Sequence, residues 1–161
     1  MKLLRANAFE PHRARLPMWL LEGTAALFEH LYVAEYWPGL RRRRCSGLVE
    51  AVNRTDDLRL GDGFDEGKET YASPSVNYYV ETVAVLYLCH SRGLLEATPR
   101  LHVLTSGLWK AIAQEDDWKA AFAHTFGGSP ADFYAELRSF LTRPDARAAA
   151  LAFVPSAPVL H

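Results

Sequence analysis

The sequence predicts an all-α protein, and three observations carry that reading. Apolar residues recur at three- and four-residue steps through residues 16–36, and residues 79–88 read as a helix apolar nearly all round. Helix-start and helix-stop residues punctuate the chain, most plainly at Ser129-Pro130-Ala131-Asp132 and at Gly93. No strand-period alternation persists beyond a few residues, and no tandem repeat is visible.

Size and composition narrow the class further. A chain of 161 residues with 49% hydrophobic and 23% charged residues is globular and long enough to bury its own core. The reading is one helical domain over 1–143 and an Ala/Pro-rich tail over 144–161, partly without order. A net charge of −1 gives no general attraction to nucleic acid or anionic membrane. No stretch approaches the ~18 apolar residues of a membrane span. The residues from Met1 to His12 do not form a secretory signal, so the chain as written is expected in the cytoplasm. A true start upstream of Met1 leaves export open. Cys45 and Cys89 have neither C-x-x-C spacing nor the numbers for a disulfide framework, and read as small core residues.

Taken in order, Lys2 to Phe9 suggests a short helix ending in a turn at Pro11. The main helix follows over Leu16 to Tyr36, with Pro17 suited to its first position. Its expected core face is Leu20, Leu21, Thr24, Leu27, Phe28, Leu31 and Tyr32. Glu22 lies near that face, and a buried carboxylate needs a partner, a proton or a metal. A second helix is expected over Leu40 to Asn53. Its Arg41, Arg42, Arg43 and Arg44 read as a solvated face paired to Glu35 or Glu50, since no nucleic-acid motif accompanies them. Residues 55–73 are acidic and glycine-rich but lack the spacing of a calcium loop, so a surface loop bordering a site is expected.

Ser75 is then expected to cap a helix running to about Arg92, stopped by Gly93. Tyr79, Val80, Val83, Ala84, Leu86, Tyr87 and Leu88 make it apolar nearly all round. Residues 100–113 read as a helix interrupted at Ser106-Gly107, and Asp116 or Asp117 starts the next. Ser129 caps the helix that carries Phe133, Leu137, Phe140 and Leu141, with Pro130 first and Asp132 third. One further helical turn is expected within Asp145 to Ala152.

Three stretches of the chain resemble a known family. Leu16-Pro17-Met18-Trp19-Leu20-Leu21-Glu22-Gly23-Thr24-Ala25 resembles L-P-x-W-L-x-E-G-x-A, the second signature of gluzincin-type zinc metallopeptidases of the peptidase MA-like branch. Phe126-Gly127-Gly128-Ser129-Pro130-Ala131-Asp132-Phe133 resembles the closing F-G-x-S-x-x-x-F element of the same domains, and Leu3-Leu4-Arg5-Ala6-Asn7 resembles L-L-x-A-N, which follows the first signature. The resemblance implies an irregular helical bundle like the C-terminal helical subdomain of gluzincins, with Glu22 at the third zinc-ligand position. It also implies that Gly23 and Ala25 let two helices pack closely. Tyr71, Tyr78 and Tyr79 are its candidates for the phenol that steadies the oxyanion.

The family's first two ligands come from H-E-x-x-H, which this sequence does not contain. The resemblance places that segment immediately before Met1. Zinc needs three protein ligands and an open position, and His12, His30, His90, His102, His124 and His161 include no pair four apart to replace it. An intact relative would carry out zinc-assisted peptide hydrolysis. The 161 residues alone are expected to hold no zinc tightly and to be inactive. The alternative reading is a non-catalytic helical module that binds a peptide or protein. With the H-E-x-x-H half absent, an apolar face near Trp19 is expected to favour self-association or partner binding.

Overall fold

The computed structural model describes residues 16–36, 52–53, 64, 74–96, 98–115 and 117–153. Every regular element among them is helical. In chain order these are α1 (Met18–Tyr36), α2 (Pro74–Ser91), a 3₁₀ turn (Leu94–Glu96), α3 (Thr98–His102), a π-helical turn (Val103–Gly107), α4 (Leu108–Glu115), α5 (Trp118–Phe126), α6 (Pro130–Leu141) and α7 (Ala146–Phe153). The expected helix at Lys2–Phe9, residues 40–51 with Arg41–Arg44 and Cys45, most of the 55–73 loop including Tyr71, and residues 154–161 lie outside the described residues.

The first and most extensive packing is α1 against α2. It is close because Gly23 faces α2 without a side chain. A Cβ there would overlap the Glu81 carbonyl oxygen and lie 2.8 Å from Val85 Cγ2. Ala26, one turn on and 2% exposed, extends the contact, whereas Ala25 is only half-buried. Helix α1 buries Trp19, Leu20, Leu27 and Leu31, and α2 buries Val80, Val83, Ala84, Val85, Leu86, Leu88 and Cys89. A helix buried on so much of its circumference belongs at the centre of a bundle.

Local chemistry sets the helix ends. Pro17 stands just ahead of α1, its carbonyl accepting from the N–H groups of Leu20 and Leu21. Helix α2 begins at Pro74, so Ser75 is its second residue and not its cap; proline is preorganised for that first position. It ends as expected at Gly93, whose φ of +64° is a left-handed conformation that costs glycine least. The expected break at Ser106-Gly107 is instead a π-helical turn within a rod that starts at Thr98 and runs on to Glu115. There the Thr105 and Ser106 hydroxyls donate back to the His102 carbonyl, a pattern that bends helices.

Asp117 caps α5 through the N–H groups of Lys119 and Ala120. Ser129 and Asp132 form a reciprocal capping box at the start of α6. Asp132 also accepts the Ser129 hydroxyl at 2.6 Å, and these hydrogen bonds hold its carboxyl below the ordinary range.

The first part of the region read as a tail is helix. Helix α7 packs on α2 and α6, with Ala150 buried. Phe153 stacks on His90 with ring centroids 3.7 Å apart and lies beside Tyr87 and Phe140. An Ala-rich segment forms helix readily, and its periodic apolar side chains then bury against the bundle.

Candidate functional site

Helix α1 presents two contrasting faces. Trp19, Leu20, Gly23, Ala26 and Leu27 turn inward. Met18, Glu22, Ala25, Glu29 and Tyr32, at four- and three-residue steps, form one stripe on the outer side. Met18 at 37% and Tyr32 at 48% exposure are the exposed large hydrophobics among the described residues, and they bracket this stripe. Glu22 lies between them, half-buried on the flank of the helix.

The inner face is fixed by aromatic rings. The Trp19 ring stacks on Phe133 at 5.1 Å and on Phe64 at 5.8 Å, both with interplanar angles of 21°. Phe122 and Tyr134 meet it edge-on. The Trp19 indole Nε1–H donates to the Tyr134 hydroxyl at 3.0 Å in a buried hydrogen bond. The expectation of an apolar docking face around Trp19 is therefore corrected. Trp19 is 1% and Leu20 2% exposed, because α5 and α6 of the same chain supply the partners that expectation assigned to another molecule. What α1 exposes instead is Met18 and Tyr32, and Tyr32 does not belong to the core face as expected.

The tyrosine candidates fare differently. Tyr71 lies outside the described residues. Tyr78 and Tyr79 sit half-buried on α2 with their rings edge-to-face at 6.2 Å. The Tyr78 carbonyl accepts the hydroxyl of buried Thr82 at 2.7 Å.

The described histidines do not gather around Glu22; His12 and His161 lie outside the described residues. His30 stands eight residues further along α1, about 12 Å on at the helical rise of ~1.5 Å per residue. His124 Nδ1 pairs with Glu115 at 3.1 Å, His90 stacks on Phe153, and His102 is exposed. Among the described residues no group of three His, Cys, Asp or Glu side chains could hold a metal ion. A carboxylate suits zinc as one ligand. The described residues offer one carboxylate at Glu22 and do not by themselves compose a metal centre.

Cys89, free and fully buried in α2, has its thiol pushed well up by burial, the opposite of an activated nucleophile. No described helix is long and apolar enough to cross a membrane. The sequence reading missed the pairing of Trp19 with Tyr134. Its only trace was an aromatic residue beside Phe133 in the closing element, and neither residue's partner can be read from spacing. No protein-family model, curated protein or solved structure matches this chain.

Proposed function

We propose that the chain is the C-terminal portion of a zinc-metallopeptidase-like protein in which Glu22 is the third metal ligand. The other two ligands would come from an H-E-x-x-H helix preceding residue 1. The observation that carries this reading is the outer stripe of α1. The carboxylate within the signature-like stretch is half-buried between Met18 and Tyr32, and a second helix laid along the stripe would cover both and meet Glu22. The interior behind Glu22 is dense, so its backbone is held firmly while its side chain is left available. The stripe equally suits a helix that docks without catalysis, and the experiment separates the two.

The test is zinc stoichiometry of the native gene product, with its intact mass and upstream reading frame determined alongside. One zinc per chain, lost in Glu22→Gln with little change in the melting temperature of the metal-free protein, is the expected result. Zinc content unaffected by Glu22→Gln, or a native chain without H-E-x-x-H, would overturn the reading and turn attention to a bound partner helix. Peptide hydrolysis by the zinc-loaded protein, absent in Glu22→Gln, would complete the functional assignment.

A further inference from the structure

We draw no further inference here: the strongest candidate, the outer stripe of α1 between exposed Met18 and exposed Tyr32, belongs to the site already described, and nothing in the structure shows what covers it.

Discussion

Replacing Gly23 by alanine tests the packing on which the fold depends, because two effects of opposite sign meet at one atom. Alanine favours helix over glycine by about 1 kcal/mol in a helix interior, so an unobstructed Gly23→Ala would stabilise. The added Cβ, however, would lie 2.7 Å from the Glu81 carbonyl carbon and 2.8 Å from Val85 Cγ2. Carbon atoms pack at about 3.5–4.0 Å, so the deficit is roughly an ångström. The main obstacle is the backbone of α2, which cannot swing aside as a long side chain can. Relief requires α1 and α2 to part along their most extensive contact, loosening fully buried Leu27 and Val83. Overpacking of this kind costs about 1–3 kcal/mol, occasionally more, and contact with backbone argues for the upper end. Set against the propensity gain of about 1 kcal/mol, an upper-end cost of about 2–3 kcal/mol leaves a net loss of about 1–2 kcal/mol. At ~2–4 °C per kcal/mol for a chain of this size, the melting temperature should fall by roughly 2–8 °C. Gly107→Ala is the control, since its Cβ would meet Val103 at an ordinary 3.7 Å with no positive φ. That variant should be neutral or gain up to about 1 kcal/mol. Urea and thermal melts followed by far-ultraviolet circular dichroism read both. A Gly23→Ala protein as stable as wild type or more so would refute the close approach of the two helices.

Two further predictions follow from the same interior. Ser129→Ala removes a cap with two partners and should cost about 1 kcal/mol. Because the Asp132 carboxyl is held low in the folded state, its contribution is complete above the unfolded value of about 3.9 and is lost as pH falls through the lowered folded value. The Ser129→Ala penalty should therefore shrink on acidification in melts from pH 7 to pH 3, and a penalty independent of pH would argue against the capping box. Cys89, buried with its thiol pushed up, should react with iodoacetamide only through opening of the bundle, roughly a thousandfold or more slowly than in urea. Peptide mapping that finds Cys89 alkylated at the rate of an unfolded thiol would show that α2 is not the interior helix described.

The sequence disclosed most where local chemistry decides the outcome. The capping box at Ser129–Asp132 and the stop at Gly93 are short-range devices that stand where the residues placed them, and of Asp116 and Asp117, both open in the sequence, Asp117 is the cap. Helix existence was legible for α1, α2, α5 and α6 because their apolar spacing persists over two turns or more. The facing of α1 was not. Leu21, Thr24, Phe28 and Tyr32 continue the apolar period as well as Trp19 and Ala26 do, and hydrophobicity alone cannot rank them. The tie is broken by long-range shape, namely a glycine-sized gap against α2 and a ring-sized one among Phe122, Phe133 and Tyr134. Helix α7 was underestimated for a related reason, since an Ala-rich tail shows its purpose only once Tyr87 and Phe140 are seen beneath Phe153.

The division of labour within α1 explains why the candidate site resists being read from stability alone. Everything that anchors the helix acts through its inner side: Gly23 on the backbone of α2, the aromatic rings around Trp19, and the hydrogen bond to Tyr134. Glu22 contributes to none of these contacts. Glu22→Gln is therefore expected to leave the melting temperature of the metal-free protein nearly unchanged. The same separation makes α1 suited to presenting a ligand, because a group can be held at a fixed place only by elements that do not themselves depend on it. Substitutions at Gly23 or Trp19 should thus be read in melting curves, and substitutions at Glu22 in what the complete protein binds. A Glu22→Gln variant that unfolded several degrees earlier than wild type with both metal-free would join the two and dissolve the argument.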